Sequence, residues 1–135
     1  MLNIQKTLNR YSLNPGNCIV VGSGILNALK LKISKDIDIT VKQETYNKLL
    51  KLSEFKVEKM YGLEILKSGN LEIGTSLNLA PSNYSYEFDE LFQNSIILDN
   101  VRYLTLEFLL KIKKEWNRDK DRKDIEIIEK YLQSH

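Results

Sequence analysis

Residues 18–41 read CIVVGSGILNALKLKISKDIDITV, and the order of features in this stretch decides how the chain is read. It opens on four apolar residues, Cys18 to Val21, the continuous run expected of a strand buried on both faces. Gly22 and Ser23 form a turn, with Ser23 placed to cap a helix over residues 25–31. From Asp36 to Val41 polar and apolar residues alternate, which is the strand period. Alternate strand residues face the same way, so Asp36 and Asp38 project together, about 7 Å apart along the backbone. Paired carboxylates at that spacing suit a divalent cation, which takes oxygen ligands and bridges phosphate oxygens. Gly22 permits close backbone approach, and the helix N-terminus after it attracts phosphate. A phosphate seat beside a metal seat points to nucleotide chemistry.

The rest of the composition narrows the field. A length of 135 residues suits one compact domain, so residues 1–135 are expected to share a single core. Hydrophobic residues make up 42% and charged residues 28%, the balance of an ordinary globular chain. No apolar run approaches the roughly 20 residues that cross a bilayer. The opening MLNIQKTLNRYS lacks the apolar segment of a signal peptide, so a cytoplasmic location without membrane contact is expected. The lone Cys18 rules out an intrachain disulfide and reads as a small buried residue. The only histidine is His135, which argues against histidine acid–base chemistry and His-ligated zinc. Carboxylates, lysines, hydroxyls and a bound metal are left to carry any reaction.

A net charge of +2 does not by itself call for nucleic acid, but its distribution is uneven. Lys111, Lys113, Lys114, Arg118, Lys120, Arg122 and Lys123 crowd into thirteen residues. That run can receive phosphates, or form a solvated helix face with the interspersed Glu115, Asp119, Asp121 and Asp124.

Along the chain, a first helix is expected over residues 4–11, closed by Asn14-Pro15-Gly16. A helix over 44–52 should turn Leu49 and Leu52 inward. Extended segments at 55–60, 63–66 and 71–76 are separated by Tyr61-Gly62 and Ser68-Gly69-Asn70, both suited to hairpin turns. A loop with Pro81 covers 79–85, a short helix 86–93, and a hairpin 95–103 turns on Asp99-Asn100. The last third is helical. In the helix 105–116, Leu106, Leu109 and Leu110 mark one face, and Lys113 falls in its middle. Such a lysine must snorkel or meet a charge. In the helix from about 119 to 132, Ile125, Ile128 and Leu132 form a stripe that Asp121 and Asp124 extend toward the helix start. Acids there also favour the helix dipole, typically by about 0.3–1 kcal/mol each.

The ordered set Gly22-Ser23, Asp36-Ile37-Asp38 and LLKIKKEWNRDKDRKDIEII (residues 109–128) resembles the nucleotidyltransferase-fold superfamily, in particular the minimal and abortive-infection (AbiEii-like) bacterial nucleotidyltransferases. The resemblance runs from about Cys18 to Tyr131. It implies an α+β fold: a nucleotidyltransferase-like mixed sheet flanked by helices, with a C-terminal helix pair. Its signature at the helix junction falls on Lys113, Arg118, Lys120, Asp121, Asp124 and Ile125. The implied activity is transfer of a nucleoside monophosphate from an NTP to a hydroxyl of RNA, protein or a small molecule, with Mg²⁺ or Mn²⁺ bound. Asp36, Asp38 and a third acid would hold the metal and act in catalysis. Glu72, alternating with Leu71 and Ile73, is the choice for that acid, and Glu64 is its rival. Gly22 and Ser23 would hold the β- and γ-phosphates. Lys113, Arg118 and Lys120 would meet phosphate or nucleic acid, with Asp121 paired to Lys113 and Asp124 supporting the site from behind. Tyr61, Tyr84, Tyr86 and Trp116 are candidates to stack on a base. Relatives include toxins of toxin–antitoxin and phage-defence systems, so an antitoxin or a second copy is an implied partner. A binding or regulatory module that kept the fold without turnover is the alternative, and an unrelated α+β interaction protein the third reading.

Overall fold

The computed structural model describes residues 3–60, 63–79 and 85–135. Helix α1 (Ile4–Arg10) leads into strand β1 (Cys18–Val21), and α2 (Gly24–Ala28) connects that strand to β2 (Ile37–Val41). After α3 (Gln43–Leu50) come β3 (Lys56–Met60), β4 (Leu63–Ser68) and β5 (Leu71–Gly74). A short ribbon of β6 (Ser76–Asn78) and β7 (Ser85–Glu87) runs into α4 (Phe88–Gln93) and the hairpin β8 (Ser95–Leu98) and β9 (Val101–Leu104). Helices α5 (Leu106–Trp116) and α6 (Arg122–Ser134) close the chain, joined through a 3₁₀ turn at Asp119–Asp121.

Among the described residues, seven strands form one sheet in the order β3-β4-β5-β2-β1-β9-β8, and β6 and β7 pair apart. The fold is mixed α+β. Strand β1 runs antiparallel to β2 and parallel to β9, while β2 is parallel to β5. Every residue of β1 is buried, as an unbroken apolar run in mid-sheet requires. Register places Val21 opposite Asp38, Asp38 opposite Glu72, and Glu72 opposite Lys67. Side chains alternate across a pleat, so these four share one face while Ile37, Ile39, Leu71 and Ile73 fill the other. On that second face α1 and α2 close in, and Gly24 lies so near Val20 that any Cβ there would collide with it.

Turn chemistry sets two of the connections. Asp99 and Asn100 both take positive φ (50° and 63°), as a two-residue hairpin loop between twisted strands demands. Gly69, at φ 58°, turns β4 into β5. The Tyr61-Gly62 turn, most of the Pro81 loop, and the rings of Tyr61 and Tyr84 fall outside the described residues.

Several expectations are corrected. Residues 71–76 are not one strand, because β5 stops at Gly74 and Ser76 leaves to pair with Glu87. The helix expected from residue 86 therefore starts at Phe88. Helix α2 ends at Ala28, and the chain turns at Lys30 with φ 60° instead of continuing to residue 31. Leu52 does not face inward: α3 ends at Leu50, so Leu52 leaves the helical repeat and is 38% exposed, while Tyr46 and Leu49 point into the core. Asp36 lies one residue ahead of β2, exposed. No helix among the described residues is long and apolar enough to cross a membrane.

Candidate active site

The site begins at the turn leaving β1. Gly22 has φ 67°, and a Cβ built on it would stand 2.9 Å from Asp38 Oδ2. Glycine is thus needed twice over, for the left-handed backbone and for the space the carboxylate occupies. Asp38 sits between Val21 and Glu72 on neighbouring strands. Its Oδ1 is buried and has no hydrogen-bond partner. Burial, the charge of Glu72, a hydrogen bond with Glu72 and the charge of Asp36 together push the Asp38 carboxyl up to about 7, against the opposing pull of Lys120.

Register also separates the two candidate third acids. Glu72 faces Lys67 across the β4–β5 pair, and the two side chains meet at 3.5 Å. Glu64 lies three positions before Lys67 on β4, an odd number, so it points to the opposite face. There it borders a separate recess with Tyr46. Asp36, Asp38 and Glu72 line one cavity of about 640 Å³, and Glu64 does not.

Facing these acids is a network built at the α5–α6 junction. Thr105 caps α5 by accepting from the Phe108 amide, and the helix ends at Asn117 in the left-handed conformation (φ 50°). This turn swings Arg118 and the 3₁₀ segment back over α5. Lys113, inside the apolar face of α5, reaches Asp121 Oδ1 at 3.2 Å and Asp124 Oδ2 at 3.1 Å. Arg118 grips Asp121 with a two-pronged pair at 2.7 and 2.9 Å, and its guanidinium stacks on Trp116. Asp124 accepts from Ser23 Oγ at 2.8 Å and from Lys32 Nζ at 2.6 Å. Burial alone would raise the carboxyls of Asp121 and Asp124. For Asp121 the Arg118 and Lys113 contacts outweigh it, for Asp124 those of Lys32, Ser23 and Lys113, and both stay below the usual carboxylate range.

These contacts revise the part each residue plays. Ser23 occupies the N-cap position of α2 but makes no capping bond, because its hydroxyl proton goes to Asp124. Lys113 and Arg118 are directed at carboxylates, whereas Lys120 is exposed at the cavity rim. Tyr86 is buried and its hydroxyl donates to Glu115, so it serves packing. Lys32 is a cavity residue that no local pattern singles out, since Lys30 and Lys35 flank it in the same basic run.

Gly22, Ser23, Asp36, Asp38, Glu72, Lys113, Trp116, Arg118, Lys120, Asp121 and Asp124 all line the one cavity, whose volume is in the range of roughly 300–1,000 Å³ typical of small-molecule sites. Among the described residues no three Asp, Glu, Cys or His side chains stand as a ready metal cage. The donor set nonetheless fits a hard cation. Neighbouring carboxyls, one of them with an orphaned buried oxygen, need either a proton or a positive ion, and all the donors are oxygen. No family model, curated protein or solved structure gives a significant match to this chain.

Proposed function

We propose that the protein is a nucleotidyltransferase with a nucleotidyltransferase-like sheet, moving a nucleoside monophosphate from an NTP to a hydroxyl of RNA, protein or a small molecule. One observation carries this reading. Asp36 and Asp38, together with Glu72 from a separate strand, line the same cavity as the Gly22-Ser23 turn. An unrelated interaction protein has no reason to gather them there.

In the reaction the acceptor oxygen bonds to the α-phosphorus, the bond to the α–β bridging oxygen breaks, and pyrophosphate leaves. Asp36, Asp38 and Glu72 would hold Mg²⁺ or Mn²⁺, which neutralises triphosphate charge and lowers the pKa of an attacking hydroxyl. Glu72 would receive the hydroxyl proton. Gly22 lets the phosphates approach the backbone beside Asp38. Lys120, exposed at the cavity rim, would offset charge on the transferring group, while Lys113 and Arg118 are engaged by Asp121 and Asp124. A role in toxin–antitoxin or phage defence, with an antitoxin as partner, rests on the family resemblance alone.

The experiment is incubation with α-labelled NTPs, Mg²⁺ and cell-extract RNA or protein. Label transfer should fall at least about a hundredfold in Asp36→Asn and in Asp38→Asn. Binding of Mg·NTP by calorimetry without transfer to any acceptor would favour the binding-module alternative, and no binding at all would end both nucleotide readings.

A further inference from the structure

Two lysines touch Asp124, and they differ in what they have left to offer. Lys113 is 7% exposed and spends two of its three N–H donors on Asp121 and Asp124. Lys32 has a side chain 34% exposed and gives one short bond, 2.6 Å, to Asp124 Oδ1. Both line the cavity. A ligand entering the cavity can reach the Lys32 head while it stays bonded to Asp124, but it meets Lys113 behind its carboxylates.

The same carboxylate holds Ser23, the residue after Gly22. Asp124 therefore draws Lys32 and the Gly22-Ser23 turn together, with Lys32 on Oδ1 and Ser23 on Oδ2. The charge count agrees. Lys32, Lys113, Arg118 and Lys120 share the cavity wall with Asp121 and Asp124, leaving two positive charges in excess opposite the three acids. A polyphosphate lying between the walls would meet these cations on one side and, on the other, whatever metal ion the three acids hold.

We infer that Lys32 is the side chain that binds the triphosphate, and that Asp124 is a positioning residue that aims it beside the Gly22-Ser23 turn. Displacing Asp124 is not the route. It is buried, and removing its three donors would strand a charge in the interior, whereas Lys32 retains unused donors that need no such exchange. This rests on the nucleotide reading above.

The test is calorimetric titration of wild type and variants with inorganic tripolyphosphate, Mg·ATP and adenosine. Lys32→Met should weaken tripolyphosphate and Mg·ATP by about tenfold or more, the size of one charge-assisted bond. Adenosine affinity should not change, and Lys32→Arg should recover most of the loss. Asp124→Asn should weaken the same two ligands, and Lys32→Met/Asp124→Asn should lose less than the two single losses added, because Asp124 acts in part through Lys32 while it also holds Ser23. Should Asp124→Asn not fold, Asp124→Glu keeps the charge, shifts it by one methylene, and should lose tripolyphosphate affinity while keeping that for adenosine. Wild-type-like tripolyphosphate binding by Lys32→Met overturns the Lys32 assignment. Full additivity of the two substitutions, or unchanged binding by a folded Asp124 variant, overturns the positioning. Wild type that binds neither tripolyphosphate nor Mg·ATP defeats the nucleotide reading itself, an outcome distinct from those.

Discussion

At the scale of single residues, Gly22 is the position where fold and chemistry constrain each other most tightly. Its φ of 67° and the 2.9 Å a Cβ would leave to Asp38 Oδ2 are separate demands met by one missing side chain. Gly22→Ala should cost about 1–2 kcal/mol for the left-handed backbone alone. It should also displace the Asp38 carboxylate and weaken Mg²⁺-dependent stabilisation. Gly24→Ala is the control, because its clash is with Val20 on the opposite face of the sheet. Thermal unfolding with and without Mg²⁺ separates the two. Both variants should melt lower, but the upward shift with Mg²⁺ should shrink only in Gly22→Ala. An equal response to Mg²⁺ in both would detach Gly22 from the acid cluster.

At the scale of elements, what could be read in advance divides by the range of the cause. β1 and the Asp99-Asn100 hairpin follow from an apolar run and turn residues within a few positions, and both stand in the structure. Of the stripe expected on α6, Ile128 is buried and Leu132 packs partly, but Ile125 stays outside the core, where Ile127 and Tyr131 pack instead. The split of residues 71–76 was not legible, because it depends on Ser76 finding Glu87 in a distant strand. Alternation favoured Glu72 over Glu64, but which of the two shares a face with Asp38 depended on the register of β4, β5 and β2. Least legible was the tie between the Gly22-Ser23 turn and α6: Ser23 and Lys32 meet Asp124 across 101 and 92 residues. The oddity that did show, a lysine and two acids on apolar helix faces, marked that network and paired Lys113 with Asp121, which meet at 3.2 Å, but it did not reach Ser23 or Lys32. Its energetics yield a prediction for the α5–α6 pair. Lys113→Met should cost about 3 kcal/mol, the low end for breaking a buried pair, since Arg118 and Lys32 still hold one carboxylate each. Lys113→Met/Asp121→Asn should be less unstable than the two single losses added, by about 1–3 kcal/mol in a urea double-mutant cycle. Simple additivity would mean that Lys113 and Asp121 are not coupled.

For the whole molecule, the two walls of the cavity respond to pH with opposite sign. Asp121 and Asp124 have carboxyls held below their ordinary 3.8. Their contribution is present above the unfolded value and is lost as the pH falls through their folded values, which gives acid unfolding below about pH 4. Asp38 runs the other way, raised from 3.8 to about 7. Between those values the folded chain holds a proton that the unfolded chain has released, so stability from this group is full below about 4 and lost as the pH climbs through about 7. The ligand-free protein should therefore be most stable on the acid side of neutrality, with a melting temperature that declines from about pH 5 to pH 8. A cation at the acids takes the place of that proton, so Mg²⁺ should raise the melting temperature more at pH 8 than at pH 5. Asp38→Asn should flatten the decline and abolish the pH-dependent part of the Mg²⁺ effect, while leaving the acid unfolding set by Asp121 and Asp124 in place. Melting curves across this range, with and without Mg²⁺, test both signs together. An Asp38→Asn profile that still declines toward pH 8 would assign the slope to another group, and a Mg²⁺ effect equal at both pH values would take the acid cluster out of metal binding.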